Sequence, residues 1–363
     1  MKKLYICFAL LTVVLIGTAC NDDDKATPAT VEHDKTPYML EFGDFPDPNI
    51  AADNQLTVQG VQLGRMLFYE KMLSKDGSMA CASCHLQEFA FSDTAKFSIG
   101  VEGKPGGRHA MAVFNMAWNS NEFFWDGRAH LIRDQSLGPI QDELEMNETL
   151  ENVITKLSNS VTYNDQFVRA FGSDEITSEK MSLAMEQFMN SIVSYQSLYD
   201  NFLEDTMAFN ASQKRGRDLF FGEYNEFFPE QSGADCAHCH GGANFENDKY
   251  ANNGLDDDAS FKDGGREKVT KNAKDKAKFK ITSLRNVELT APYMHDGRFN
   301  SLEEVVNHYN KGLKSSSTLD PALDQTRATG LRLTEQDKKD LVNFLKTLTD
   351  TELTKDPKFG SPF

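Results

Sequence analysis

Two Cys-x-x-Cys-His motifs, at Cys81–His85 and Cys236–His240, constrain this chain more than any other feature of its sequence. In such a motif the two thiols can form thioethers with the vinyl groups of a haem, and the adjacent histidine binds the iron. One zinc site built from both cysteine pairs is the alternative, but structural zinc sites space their pairs far more closely along the chain. We therefore expect two covalently attached c-type haems, held by Cys81, Cys84, His85, Cys236, Cys239 and His240.

The N-terminus has the pattern of a bacterial export signal. A basic start leads into an apolar run, Leu4 to Ile16, which is too short to span a membrane, and small residues then precede Cys20. We expect residues 1–19 to be a signal peptide and Cys20 to be lipidated, with an ordinary cleaved signal as the alternative. The polar stretch 20–37 predicts a flexible tether. The protein would then be lipid-anchored outside the cytoplasm, on the periplasmic side or in the cell envelope.

An internal repeat divides the 363 residues into two halves. Gln62–Tyr69 matches Lys214–Phe221 ahead of the two haem motifs, and Asn115–Arg128 matches Asn286–Arg298 after them. The chain is also long enough for two domains of ordinary size. We therefore predict two haem domains related by internal duplication, residues 38–205 and 206–363.

Helical spacing of apolar residues dominates both halves. Apolar side chains recur at steps of three and four from Glu179 to Phe202, which predicts one amphipathic helix that closes the first domain. Thr334, with Asp337 three residues later, predicts the capped start of the last helix. Because strand-like alternation is nearly absent, the predicted fold class is all-α, with two cytochrome c-like haem domains.

The formal net charge of −17 limits the partners of the chain. Nucleic acid is excluded, since binding to phosphates needs a basic surface that releases counterions. A small basic protein is the partner that this charge would favour, although acidity that only keeps the protein soluble explains the composition equally well.

The segment between the two motifs resembles that of the bacterial di-haem cytochrome c peroxidases and their relatives of the MauG group. Phe124–Arg128 matches the family's F-W-D-G-R segment, and Gln135 is followed by Gly138-Pro139 and then by Glu145, as in that family. The resemblance covers essentially the whole chain after the tether. It implies that Gln135 and Glu145 line a peroxide pocket at the first haem and that Trp125 lies between the haems as an electron bridge. A carboxylate beside an open iron can take a proton from peroxide and return it to the leaving oxygen.

The second half carries another segment of the family. Thr290–Gly297 matches its T-A-P-Y-x-H pattern. At a fixed distance after this proline the peroxidases have a methionine as distal ligand of the second haem, and the MauG branch has a tyrosine. Tyr309 occupies that position here, so the resemblance implies His240 and Tyr309 as the ligands of the second iron. Met294 is the alternative to Tyr309, since both residue types bind haem iron.

The first iron is expected to have an open position. Many peroxidases of the family have a histidine after a Ser-Ile-Gly sequence, and this histidine blocks the iron until the second haem is reduced. Here Ser98–Gly100 is followed by Val101 and Glu102, neither of which ordinarily binds haem iron. We therefore predict a first haem that is five-coordinate through His85 alone and reacts with peroxide without reductive activation.

The resemblance implies a di-haem peroxidase that reduces hydrogen peroxide to water with electrons from a small redox protein such as a cytochrome c. It also implies a calcium ion with backbone oxygens of Thr290 and Pro292 among its ligands, but His109 replaces an asparagine ligand of the family. A homodimer is left open. A MauG-like oxidase that acts on a partner protein, and a di-haem electron carrier without catalysis, are the alternative functions.

Overall fold

Helices provide nearly all of the regular secondary structure, in agreement with the predicted fold class. The structure, a computed structural model, describes residues 30–120, 122–228 and 231–363. In this part of the chain the elements are α1 (Val58–Tyr69), α2 (Ile132–Gln141), α3 (Leu150–Ser158), α4 (Val161–Phe171), α5 (Ser178–Ser191), α6 (Leu198–Leu203), α7 (Ala211–Phe221), α8 (Glu267–Thr270), α9 (Leu302–Asn307), α10 (Asp324–Thr329), α11 (Glu335–Leu345) and two short antiparallel strands, β1 (Tyr250–Ala251) and β2 (Phe279–Lys280).

One compact unit extends from Glu32 to Phe363, so it begins inside the stretch that the sequence predicts as a tether. The N–H of Asp34 donates to the carbonyl of Arg169 at 2.9 Å. The predicted signal peptide, the lipidation site Cys20 and the tether up to residue 29 lie outside the described residues. Within the described ranges, none of the helices is long and apolar enough to cross a membrane. The predicted domain boundary between residues 205 and 206 stays a prediction.

Two helix pairs meet at unusually close backbone distances. Helix α1 packs on α5, and α7 packs on α11. A Cβ atom on Gly64 of α1 would lie 1.9 Å from the carbonyl oxygen of Ala184, and one on Gly216 of α7 would lie 1.9 Å from that of Asp340. Both glycines occupy the same position of the repeated sequence segment. Only a residue without a side chain permits this approach.

The substitution Gly64→Ala should destabilise the protein by roughly 3 kcal/mol, because the added methyl group cannot avoid a main-chain oxygen. Guanidinium titration of the haem-loaded protein measures this change. Gly264→Ala is the matched control: a Cβ placed there meets only the side chains of Glu267 and Lys268, at 3.5 Å or more, so its free energy of unfolding should stay within about 0.5 kcal/mol of the parent value. Equal stability of the two variants would contradict the packing explanation.

Aromatic side chains connect these helix pairs to the haem motifs. In the first hydrophobic cluster, the ring of Phe68 lies 5.4 Å from that of Phe188 and 6.3 Å from that of His85, between centroids. In the second cluster, the ring of Phe220 lies 5.2 Å from that of Phe344 and 5.8 Å from that of Phe245. Aromatic side chains of each helix pair thus form the hydrophobic surface against which one haem motif packs.

The predicted helix from Glu179 to Phe202 is wrong as a single element. Helix α5 ends at Ser191, and α6 begins only at Leu198. The carboxylate of Asp350 accepts the N–H groups of Tyr195 and Gln196, both at 3.0 Å, and the side chain of Asn115 accepts the N–H of Ser194 at 2.7 Å. These side chains replace the carbonyl acceptors of a continuous helix. The predicted start of the last helix is confirmed, since Thr334 and Asp337 form a capping box at α11.

Candidate haem sites

One cavity of ≈ 1400 Å³ lies against both haem motifs. Every residue that the sequence assigns to haem attachment lines it, apart from Cys239. The side chains predicted to act on peroxide, to carry electrons or to bind the second iron come from distant parts of the sequence, yet they line the same cavity. They are Trp125, Gln135, Glu145, Met294 and Tyr309, together with the predicted calcium-binding residues Thr290 and Pro292.

Each motif folds as a short 3₁₀ turn that begins at its first cysteine. The N–H of His85 donates to the carbonyl of Cys81 at 3.0 Å, and that of His240 donates to the carbonyl of Cys236 at 2.9 Å. The thiols of the four motif cysteines are free. Burial raises the pKa of Cys81 and of Cys236 to about 12, so both are neutral thiols. Two unpaired thiols and a histidine on one turn are the donor set that a c-type haem requires.

Both histidine rings are held by a backbone carbonyl. Nδ1 of His85 lies 3.0 Å from the carbonyl oxygen of Phe91, and Nδ1 of His240 lies 3.2 Å from that of Phe245. A carbonyl can only accept, so each Nδ1 donates, and Nε2 keeps the lone pair that an iron needs. Burial lowers the pKa of His240 to about 4, which keeps its ring neutral.

The two phenylalanines that supply these carbonyls share an uncommon backbone conformation. Phe91 has φ 58° and Phe245 has φ 53°, in the left-handed region that bulky residues rarely adopt. No sequence pattern signals either residue, because any side chain leaves the carbonyl in place. The repeated geometry shows that the two motifs are supported in the same way.

Glu145 and Gln135 approach the cavity from one segment. Gln135 lies on α2, and Glu145 lies in the turn that follows, where its N–H donates to the carbonyl of Asp142 at 3.0 Å. Burial and, to a lesser degree, the charge of Asp142 raise the pKa of Glu145 above its ordinary value, while Arg128 opposes them. A carboxyl group with a raised pKa beside an apolar cavity is suited to exchanging protons.

The loop that follows Ser-Ile-Gly is held by hydrogen bonds at Val101 and Glu102. The N–H of Val101 donates to the carbonyl of Glu145 at 2.9 Å. The carboxylate of Glu102 pairs with Lys75 at 2.6 Å and accepts from the side-chain amide of Asn147 at 2.9 Å. Neither Val101 nor Glu102 is part of the cavity lining. The open position at the first iron stays a prediction.

Trp125 is fixed by contacts with both halves of the chain. Its indole Nε1–H donates to the carbonyl of His109 at 2.8 Å, and its own carbonyl accepts the N–H of Lys280 at 2.8 Å. Its ring lies 6.5 Å from that of His295, which stacks on Phe279 at 3.6 Å. The sequence does not indicate this stack, because Phe279 lies outside every motif.

The second distal region contains both candidate ligands of the iron. Tyr309 lies in a single π-helical turn, His308–Gly312, and Met294 has φ 74°. The side-chain amide of Asn253 donates to Oη of Tyr309 at 3.2 Å and lies 3.3 Å from Sδ of Met294. Burial raises the pKa of Tyr309 to about 12. Asn253, which no motif indicates, is therefore a site residue that sequence reasoning missed.

The predicted calcium ion receives no support from clustered acidic or histidine side chains. Among the described residues, no group of three or more His, Cys, Asp or Glu side chains is placed to hold a metal ion. Nδ1 of His109 lies 3.1 Å from the carbonyl oxygen of Ala95, and burial lowers the pKa of His109. The backbone oxygens of Thr290 and Pro292 remain the predicted ligands.

Comparison with known proteins points to one family. A sequence model described as di-haem cytochrome c peroxidase matches residues 58–208. The methylamine utilization protein MauG of Methylorubrum extorquens is 33% identical over 338 residues, which are 91% of this chain and 90% of that protein. The cytochrome c551 peroxidase of Nitrosomonas europaea is 33% identical over 83% of this chain and 82% of its own length. A crystal structure of a MauG-like protein associated with microbial copper homeostasis superposes with a TM-score of 0.81 at 31% identity, over 90% of this chain and 99% of that one.

Proposed function

This chain belongs to the family of bacterial di-haem cytochrome c peroxidases and MauG proteins, and from that premise we propose a division of labour between two unequal c-type haems. The protein is a peroxidase. On our proposal, hydrogen peroxide reacts at the haem of the first motif, and a small redox protein such as a cytochrome c delivers electrons through the haem of the second. One peroxide, two electrons and two protons give two molecules of water.

The observation that carries this proposal is the position of Glu145 and Gln135 in the lining shared with His85. When bound, the first haem supplies the electrons that split the oxygen–oxygen bond. Glu145 takes the proton from the oxygen nearest the iron and returns it to the leaving oxygen, which then departs as water. The side-chain amide of Gln135 orients the peroxide by hydrogen bonds.

Trp125 is proposed as the electron bridge between the two haems. The indole Nε1–H donates to the carbonyl of His109, and the backbone carbonyl of Trp125 accepts the N–H of Lys280, so both the ring and the main chain are held. The edge of the ring contacts His295, which belongs to the second half of the chain. When an electron passes through an aromatic ring that is held in place, the ring and the groups around it rearrange little. This rigidity supports a role in transfer rather than in binding.

At the second haem we propose His240 and Tyr309 as ligands, with Met294 as the alternative. Tyr309 also favours a second candidate function, oxidation of a partner protein, because phenolate ligation stabilises the oxidised iron. The relatives named MauG support the same alternative. A carrier without catalysis is disfavoured by the carboxyl group of Glu145 at the first site.

Internal duplication, export and the remaining partners belong to the same proposal. Duplication is supported by the matching glycine contacts of Gly64 and Gly216 and by the paired Phe91 and Phe245 carbonyls. Export and lipidation at Cys20, with a periplasmic or cell-envelope location, are supported by the sequence pattern alone. A calcium ion and a homodimer stay predictions.

Steady-state oxidation of a reduced small cytochrome c by hydrogen peroxide tests the proposed function. We expect two cytochromes oxidised for each peroxide consumed, from the first turnover and without prior reduction of the enzyme. Peroxide consumption without cytochrome oxidation would favour the protein oxidase. If no peroxide is consumed, the alternative of a di-haem electron carrier without catalysis would be favoured.

The pH profile of this reaction should carry the signature of Glu145. The proton-accepting form is the carboxylate, and burial raises the pKa of Glu145 above its ordinary 4.5. As the pH falls through this raised pKa the group becomes protonated, so kcat/KM should decline on the acid side at a higher pH than an exposed glutamate would give. The residual activity of Glu145→Gln should lack this acid limb. If the acid limb is unchanged in the variant, a group other than Glu145 is responsible for it.

A further inference from the structure

Asn253 contacts both side chains that could bind the second iron. Its amide Nδ2 lies 3.2 Å from Oη of Tyr309 and 3.3 Å from Sδ of Met294. Its backbone carbonyl oxygen lies 3.0 Å from Nε2 of His308, the residue that precedes Tyr309. One asparagine thus joins the Met294 segment to the π-helical turn of Tyr309.

The segment around Asn253 is itself held in place. The side chain of Asn252 accepts the N–H of Gly254 at 3.0 Å and donates to the hydroxyl of Thr318 at 3.0 Å. The carbonyl of Gly254 accepts the N–H of Lys314 at 2.8 Å. With the backbone fixed on both sides, the amide of Asn253 keeps its position relative to the two candidate ligands.

The two contacts of this amide differ in strength. An amide N–H bonds weakly to a thioether sulfur, more strongly to a phenolic oxygen, and most strongly when that oxygen carries negative charge. An amide group has two N–H bonds, enough for one to each acceptor. The same group can therefore favour oxygen ligation while it engages the sulfur that would compete for the iron.

We propose that Asn253 is a positioning residue that determines which side chain binds the second haem, because its amide stabilises the oxygen of Tyr309 as a ligand and engages the sulfur of Met294, which would otherwise compete for the iron. This inference rests on the ligand assignment in the proposed function. Methionine ligation raises the reduction potential of a c-type haem. Asn253 thereby keeps the second haem at the low potential that tyrosine ligation gives.

The test uses the full-length protein with both haems and measures the midpoint potential of the second haem by optical spectroelectrochemistry. In Asn253→Ala the freed methionine should compete for the iron, and the midpoint potential of the second haem should rise. We expect a rise of at least about 59 mV, which for one electron corresponds to a tenfold change in the reduction equilibrium. In Asn253→Ala combined with Met294→Leu this rise should be absent. Thr318→Ala removes one bond of Asn252 but leaves its bonds to Ser316 and to the N–H of Gly254, so the segment stays in place and the parent potential should be kept.

Three outcomes would overturn the role of Asn253: a parent-like potential in Asn253→Ala, a rise that persists in the double variant, or an equal rise in Thr318→Ala. Asn253→Leu, which keeps the approximate size and removes the N–H donor without adding a charge, replaces the alanine variant if that variant does not fold. Tyr309→Phe separates this inference from its premise. An unchanged low-spin signal in Tyr309→Phe would refute the ligand assignment itself, whereas a changed signal with a parent-like Asn253→Ala would refute only the positioning role.

Discussion

Replacing Glu145 by glutamine should lower kcat/KM for hydrogen peroxide by roughly 100- to 10,000-fold, the range that a positioned acid–base group contributes. Glutamine keeps the size of the side chain but can neither accept the peroxide proton nor return it to the leaving oxygen. Both haems should stay attached, because Glu145 belongs to neither Cys-x-x-Cys-His motif. Stopped-flow measurement of the reaction with peroxide isolates this step from electron delivery.

Glu143→Gln is the matched control for this variant. Glu143 is exposed and lies two residues earlier on the same turn, so its loss changes the charge near the site by the same amount. The control should retain the parent rate. Equal losses in the two variants would mean that charge alone governs the reaction, and full activity in Glu145→Gln would refute the catalytic assignment.

Removing the second haem should abolish turnover with a cytochrome donor while the first reaction with peroxide persists. In the double variant Cys236→Ala and Cys239→Ala, covalent attachment at the second motif is lost, and with it the proposed entry of electrons. His85 and Glu145 keep their contacts, so one equivalent of peroxide should still react with the protein. Haem content measured after denaturation verifies that one covalent haem remains.

The reciprocal double variant, Cys81→Ala and Cys84→Ala, serves as the control. It should retain the second haem with its low-spin signal but show no rapid reaction with peroxide. Peroxide reactivity in this variant, or its loss in the variant of the second motif, would reverse the roles proposed for the two haems.

The site residues that belong to sequence motifs could be predicted from the sequence. The motifs alone indicate the cysteines and histidines of both haem sites together with Gln135, Glu145 and Trp125, and all of these but Cys239 line the shared cavity. Their chemistry requires particular residue types at particular spacings, so the sequence carries the information directly. The helix-rich fold follows in the same way from the spacing of apolar residues.

Features that depend on the backbone could not be predicted. The carbonyls of Phe91 and Phe245 orient the histidine rings, but a carbonyl is present on every residue, and only the positive φ of these two directs it to the ring. Asn253 lies outside every motif, and its role depends on the distances to Tyr309 and Met294 in the folded chain. Such contacts are set by tertiary structure.

The break between α5 and α6 has the same origin. The apolar spacing continues through Ile192, Tyr195 and Tyr199, so periodicity alone predicts helix. The carboxylate of Asp350 and the side chain of Asn115, both distant in sequence, take the N–H groups that helix formation would use. Local propensity is overridden where buried side chains offer better partners.

The electron paramagnetic resonance spectrum of the resting, fully oxidised protein tests the central claim that the two haems are unequal. A first haem bound by His85 alone and a second bound by His240 and Tyr309 should give one high-spin and one low-spin ferric signal of equal intensity. Two low-spin signals would contradict this account, because the first iron would then hold a sixth protein ligand and would not be open to peroxide.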